Sequence, residues 1–519
     1  MAAKEYKNKH FDAIIIGSGF GGAMSAHALI NAGLNVLMLE RGDWVKRGPH
    51  NWALNASLDL TPFYSMDSPM RVLEGGTKPL MGSYSCVGGP SVFYGGVSFR
   101  FREADFLSTP EIVGASGAEW PLTYDDFEPF YSQAEKLLNV AGVDAADPTE
   151  PHRSAKYPQK PSELSEISQK VGRAAKSIGL RPFQMPLAIN YQDNGRTKCK
   201  ACTTCDTFAC AISAKNDLAT VILPKLREKG LALLPNVMAT RLNQRGDQIK
   251  TVDCLDKTTE KSFSVSADVV ILAAGAMGAP HLLLASGLRQ VNPGGDVIGR
   301  YLMRHVNAII FGIFPGRADK ENVFHKQLCI LDYYFGHPSV TEPAGKLGSL
   351  QQMQTPPAGL VKGMIPKPFG SLIAPGVKLL TGLLAIAEDQ PQFYNRIELN
   401  AAQKDRFGLP QPQVRHRYSE RDIAALKALT KPAKKIMRRA GALAHYVHHI
   451  RTFSHAVGTV RMGVNPKTSA LDENCRFRGI ENLFVIDGSF FPTSAAVNPS
   501  LTISANALRV GNFIGSVGV

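Results

Sequence analysis

The chain has 519 residues, 44% hydrophobic and 20% charged, with a formal net charge of +14. That length exceeds what one compact core sustains, so two domains are expected, and the composition excludes a disordered or fibrous chain. Excess positive charge raises nucleic acid, an anionic membrane surface and acidic proteins as partner classes. Lys and Arg are scattered, however, which argues against nucleic acid. The densest run, KPAKKIMRR at 431–439, reads as a solvated helix face, with peripheral membrane contact or an acidic partner as the alternative.

The N-terminus, MAAKEYKNKH, is charged and has no apolar leader core, so a cytoplasmic start is expected, with docking to a targeted partner left open. Apolar runs such as 379–387 are too short to span a bilayer. Residues 12–16 (DAIII) suit a buried parallel strand. GSGFGG follows, with Gly17, Gly19 and Gly22 in G-x-G-x-x-G register, then an Ala-rich helical stretch and a second strand, NVLMLE, ending in Glu40. This is a complete βαβ dinucleotide unit. Gly17 permits the tight turn, Gly19 lets the backbone approach a pyrophosphate, and Gly22 lets helix and strand pack closely. The helix N-terminus favours phosphate. Glu40 can accept bonds from both ribose hydroxyls, which disfavours NADP. The unit alone does not separate FAD from NAD.

Further along lie a second Gly-rich loop, GSYSCVGGPSVFYGGVS at 82–98, and a cysteine-rich segment, CKACTTCDTFAC at 199–210. The latter has the spacing C-x₂-C-x₂-C-x₄-C through Cys199, Cys202, Cys205 and Cys210. Ferredoxin runs read C-x₂-C-x₂-C-x₃-C-P, so the match is near but incomplete, and no Pro follows Cys210. Structural zinc sites separate their pairs by longer loops. The isolated Cys86, Cys254, Cys329 and Cys475 read as buried small hydrophobes. Next come a strand and small-residue turn, ADVVILAAGAMGAP at 267–280, and two strands, HVNAIIFGIF and QLCILDYYFG. Residues 355–390, rich in Pro, Gly and aliphatics, read equally as an irregular cover or as a lid with hydrophobic contacts. Near the C-terminus stand SHAVGTVRMG at 454–463 and ENLFVIDGSFFPTSAAVNPSLTISAN at 481–506.

Taken in order, GSGFGG, GGPSVFYGG, EWPLTYDDFEPFYSQAEKLLNV, NRIELN…DRFGLP, SHAVGTVRMG and DGSFFPTSAAVNPSLTI resemble the glucose–methanol–choline (GMC) oxidoreductases over nearly the whole chain. The likeness is to bacterial branches near cholesterol oxidase-like proteins and FAD sugar dehydrogenases. The resemblance implies an α/β fold. A discontinuous Rossmann-like FAD domain would comprise 1–48, 70–105, 190–305 and 450–519. An α+β substrate domain on an antiparallel sheet would comprise 106–189 and 306–449, with 49–69 connecting them.

It also implies roles. Gly88, Gly89 and the loop through Gly96 would lie against the flavin and pyrophosphate, and Val237 would touch the adenine through its backbone. Asp487 and Gly488 would bind the ribityl or pyrophosphate end. Asn498, with the helix starting near Pro499, would face the flavin pyrimidine edge. Phe20, Arg41, Ser91, Tyr94, Gly95, Ala274, Gly275 and Ser500 complete the expected FAD contacts. His455 matches the family's catalytic histidine and Asn498 the position carrying His or Asn. A histidine suits the base role, and a neutral amide can hold the substrate oxygen. His445, His448 and His449 are read as structural.

The expected function is oxidation of an alcohol carbon with hydride transfer to FAD and electrons passing to an acceptor other than NAD. An electron-acceptor protein or subunit is the partner class, and a dehydrogenase is favoured over an oxidase of a sterol-like or aromatic alcohol. A lyase or decarboxylase on the same fold, and a non-catalytic flavin subunit, are the rival classes. Some sugar dehydrogenases of the family carry an iron–sulfur cluster near the cysteine segment, whereas cholesterol oxidase-like relatives show such a segment without one. Unligated or disulfide-capable cysteines are the favoured reading and an iron–sulfur cluster the alternative.

Overall fold

In the computed structural model, which describes residues 5–356, 358 and 374–517, the β-branched run HFDAIII forms strand β1 (His10–Ile16). It leads through the glycine turn into helix α1 (Phe20–Asn31) and back to strand β2 (Val36–Leu39). β1 pairs in parallel with β2 on one side and with β3 (Lys261–Leu272) on the other. Ile14 and Ile15 are fully buried, each worth ~1.5–3 kcal/mol of burial. β2 pairs in parallel with Ala232–Leu234, and β3 with Leu483–Val485. The first half of β3 belongs to an antiparallel meander with Val237–Arg245 and Gln248–Asp256. Helix α2 (Gly275–Ala285) begins directly after β3.

A second sheet of six antiparallel strands is built on β4 (Val306–Ile313), β5 (Gly348–Met353) and β6 (Leu380–Ala387). Its order is Ala444–His449, β4, β6, β5, Leu328–Ile330, Phe183–Gln184. This is the antiparallel sheet expected of the substrate half. Two expectations need correcting. QLCILDYYFG is strand only over Leu328–Ile330; from Leu331 onward it turns, with the Tyr334 N–H donating to the Leu331 carbonyl. Residues 380–387, read as part of a cover or lid, form a buried central strand; of the rest of that reading, 357 and 359–373 lie outside the described residues.

Helix α3 (Glu420–Arg439) packs its apolar stripe on this sheet. Lys431, Lys434, Lys435, Arg438 and Arg439 are exposed, as a solvated face requires. A four-stranded sheet joins the hairpin Tyr64–Val72 and Leu80–Tyr84 to Arg396–Lys404 and Pro410–Arg415. Helix α4 (Ser500–Val517) packs closely on α1, where a Cβ on Gly511 would stand 2.7 Å from the Ala28 side chain. Among the described residues no helix is long and apolar enough to cross a membrane.

Candidate active site

The three glycines of the first turn differ in what surrounds them. Gly17 has φ +106°, and a Cβ there would stand 2.3 Å from the Ala273 carbonyl oxygen; a Cβ on Gly22 would stand 1.9 Å from the Gly17 oxygen. These two serve packing. A Cβ on Gly19 would meet only Pro90, at 3.9 Å. Gly19 therefore faces open space, at the N-cap of α1, where no side chain caps the helix. Its first-turn N–H groups suit a phosphate.

Glu40 is buried at the end of β2. It accepts from Ser18 N (3.1 Å), Ser18 Oγ (2.6 Å) and Gly42 N (2.9 Å). Burial raises its pKa and these bonds oppose the rise. Val237 N–H donates to the Glu40 carbonyl at 2.9 Å, which brings Val237 to the same strand end. Ser18 Oγ also accepts from Gly88 N at 3.0 Å, so one hydroxyl joins the first loop, the acid and the second loop. Gly88 and Gly89 are both left-handed, and a Cβ on Gly89 would lie 3.1 Å from Gly19 Cα.

The remaining cofactor candidates converge on this cradle. Phe20 meets Tyr94 edge-on at 5.4 Å between ring centres. Ser91 Oγ donates to the Gly88 carbonyl at 2.6 Å, and the Gly96 carbonyl accepts from Ala188 N at 2.7 Å. Ser500 Oγ donates to the Val97 carbonyl (3.2 Å), which ties the start of α4, with Pro499 just before it, to the second loop. Asp487, buried, accepts from Gly275 N and Ser489 N, each at 2.9 Å, next to Ala274 at the N-cap of α2. Burial pushes its pKa up to about 6. The Gly488 carbonyl accepts from Gly458 N (3.0 Å). Arg41 donates to the Tyr84 carbonyl, at 3.2 Å, in the second loop. Open space at Gly19, an uncapped helix end and a buried carboxylate at the second strand's end together fit an FAD pyrophosphate and ribose.

His455 and Asn498 come together as expected: Asn498 Nδ2 lies 3.3 Å from His455 Nε2. Surrounding protein lowers the His455 pKa to about 3; His305 and Lys326 push the same way and Asp206 opposes. The imidazole is therefore neutral, as a base must be. His445, His448 and His449 lie in the edge strand Ala444–His449, apart from this pair.

Sequence reasoning missed four groups here. His305, buried, places Nδ1 3.1 Å from His455 Nδ1. Gln351 Nε2 donates to Asn498 Oδ1 at 2.8 Å. Lys326 and Asp206 form a 2.6 Å ion pair against Gly95, where a Cβ would stand 3.0 Å from Lys326 Nζ. None carries a local signal, since each reaches the site from a separate part of the fold.

Cys199, Cys202, Cys205 and Cys210 line one small cavity of about 20 Å³ with Lys215. Lys215 Nζ donates to the carbonyls of Cys205, Phe208 and Tyr94, which ties this cavity to the second Gly-rich loop. Burial raises the Cys199 thiol to about 11 and the Cys205 thiol well above its ordinary value. Among the described residues no group of three or more His, Cys, Asp or Glu is disposed to hold a metal ion.

The profile described as GMC oxidoreductase matches in two parts, residues 11–307 and 391–507. 6'''-hydroxyparomomycin C oxidase of Streptomyces lividus is 31% identical over 98% of this chain and 91% of its own length. Paromamine 6'-oxidase of Streptomyces fradiae is 30% identical over 96% and 90%. Pyridoxine 4-oxidase from Mesorbium loti shares the fold, with a TM-score of 0.69 and 17% identity over 97% of this chain and 98% of that one. With both profile segments and relatives that match along their length, the chain belongs to the GMC oxidoreductase family.

Proposed function

We propose that the protein oxidises a CH–OH group of a small organic substrate, with His455 as the base and Asn498 as the group that holds the substrate oxygen. The observation that carries this reading is the 3.3 Å approach of Asn498 Nδ2 to a neutral His455 Nε2 at the end of the dinucleotide cradle. FAD, when bound, supplies the hydride acceptor. His455 Nε2 takes the hydroxyl proton, and the Asn498 amide donates to the oxygen without adding charge beside the base. Gly17, Gly19, Phe20, Gly22, Glu40, Gly88, Gly89, Ser91, Tyr94, Gly95, Gly96, Val237, Ala274, Gly275, Asp487, Gly488, Pro499 and Ser500 would hold the cofactor.

The test is anaerobic bleaching of the bound flavin by a panel comprising paromamine, D-fructose, benzyl alcohol and 1-dodecanol. Paromamine is included because two relatives are named for paromamine and a hydroxyparomomycin. His455→Ala should slow bleaching by ~10²-fold or more, the usual worth of a general base. An unchanged rate refutes the assignment. If no alcohol bleaches the flavin, the lyase and non-catalytic readings gain.

A second reading concerns where the electrons go. The cysteine cavity meets the flavin loop through Lys215, and this favours an outside acceptor reached along that segment over oxygen. Rapid reoxidation of the reduced flavin by O₂ would establish an oxidase instead. Iron and thiol assays on the same sample separate a cluster from four free thiols, and free thiols are the reading we favour.

A further inference from the structure

We propose that His305 is a positioning residue that fixes the tautomer of His455, so that Nε2 is the bare, proton-accepting nitrogen. The proposal rests on the reading of His455 as base.

The argument starts from a group that can only accept. His305 Nε2 lies 3.1 Å from the Ser494 carbonyl oxygen, so Nε2 carries the proton. A neutral imidazole has one N–H, and burial keeps His305 neutral. Its Nδ1 is therefore bare. The atom 3.1 Å from that lone pair is His455 Nδ1, which must then bear the single proton of His455. That leaves His455 Nε2 bare, facing the Asn498 amide nitrogen at 3.3 Å. Gln351 Nε2 donates to Asn498 Oδ1 at 2.8 Å, which matches that orientation of the amide. The bonds run in one direction: Gln351 to Asn498 to His455 to His305 to the Ser494 carbonyl.

The opposite tautomer of His455 would put a bare Nδ1 opposite His305. His305 would then have to move its own proton to Nδ1, turning a bare Nε2 on the Ser494 oxygen. Two lone pairs would face each other at 3.1 Å, out of water.

The backbone holds both ends of this arrangement from one carboxylate. Asp389 accepts from Arg304 N (2.8 Å), His305 N (3.1 Å) and Ser494 Oγ (2.8 Å). Tyr418 OH donates to the His305 carbonyl at 2.8 Å. His305 has φ +61°, a left-handed conformation uncommon outside glycine, though one that histidine adopts more readily than most residues. Such a conformation persists where its surroundings over-determine it, and these four bonds do so. They place the ring rather than merely fill space.

Two measurements test the proposal. In ¹⁵N-histidine-labelled holoenzyme, the His455 ring signals, assigned by their loss in His455→Ala, should show a protonated Nδ1 and a bare Nε2. The reverse overturns the proposal with no variant at His305 needed. In the second, His305→Asn puts an amide oxygen where Nδ1 stands and still accepts from His455. His305→Gln reaches Ser494 but offers nothing to His455. Flavin reduction by the fastest alcohol of the panel should fall ~30-fold or more in His305→Gln, with substrate affinity little changed, and stay within about fivefold in His305→Asn. Equal loss in both variants at normal flavin content, or no loss in His305→Gln, also overturns it. The ¹⁵N pattern does not depend on turnover, so a wrong tautomer in an enzyme that needs His455 refutes only this proposal, whereas an active His455→Ala refutes the base assignment itself.

Discussion

Gly19→Ala and Gly22→Ala add the same methyl group three residues apart, yet the structure gives them opposite consequences. At Gly22 the new Cβ would sit 1.9 Å from the Gly17 carbonyl oxygen and 3.2 Å from Ile15 Cγ2. Backbone must move, and overpacking of this kind costs ~1–3 kcal/mol. For a chain of 519 residues, unfolding entropy of ~2.1 cal/mol/K per residue turns that into a Tm fall of ~1–3 °C. At Gly19 the nearest protein atom is Pro90 Cδ at 3.9 Å, so cofactor-free stability should be unchanged. The same ~1–3 kcal/mol should appear instead as FAD binding weakened ~5- to 150-fold, with an equal loss of the extra stability that FAD confers. Calorimetry of stripped and FAD-loaded protein, with FAD titration by fluorescence, separates the two. If Gly19→Ala melts early without FAD and binds FAD normally, the division between packing and pyrophosphate glycines is wrong.

Two other outcomes are expected. The first concerns acid. His455, His305 and His416 have depressed folded pKa values through burial, His455 down to about 3. The unfolded chain binds protons on these rings below the ordinary value of ~6.5 while the folded chain does not. Stability is thus complete above pH ~6.5 and should fall as pH drops below it, for His455 by up to ~1.4 kcal/mol per pH unit down to about 3; a Tm flat from pH 7 to 4 would refute the neutral assignments. The second concerns thiols. Burial holds Cys199 and Cys205 protonated at neutral pH, and the thiolate is the reactive form, so iodoacetamide followed by peptide mapping should leave both unlabelled until urea unfolds the chain.

The nucleotide half was legible because its chemistry is local: strand, glycines, helix, strand and acid occupy consecutive residues, and Gly17, Gly19, Gly22 and Glu40 stand as their order implied. The catalytic half was legible only in outline. Residues 380–387 misled because a strand buried on both faces shows no alternation, and an aliphatic run with Thr and Gly reads equally as cover. Ser18 looks like a spacer between two glycines, though its hydroxyl joins three motifs. His305 precedes β4 and reads as part of that strand, yet the fold turns it left-handed at that point.

The surroundings of His455 connect features that stand apart along the chain. The imidazole is kept weak by the protein packed round it, by His305 and by Lys326, while Asp206 favours the proton. Asp206 lies between Cys205 and Cys210, and its carboxylate is held by Lys326 Nζ at 2.6 Å. The cysteine segment therefore acts on the base electrostatically whether or not electrons pass through it. Lys215, bonded to the Cys205, Phe208 and Tyr94 carbonyls, fixes the backbone on either side of Asp206 to the second Gly-rich loop. A substitution among these cysteines that shifts the segment must move a negative charge that opposes the weakening of His455, so a loss of activity there does not by itself demonstrate an electron route. Reoxidation of pre-reduced enzyme isolates that route, because it bypasses the proton removal proposed for His455.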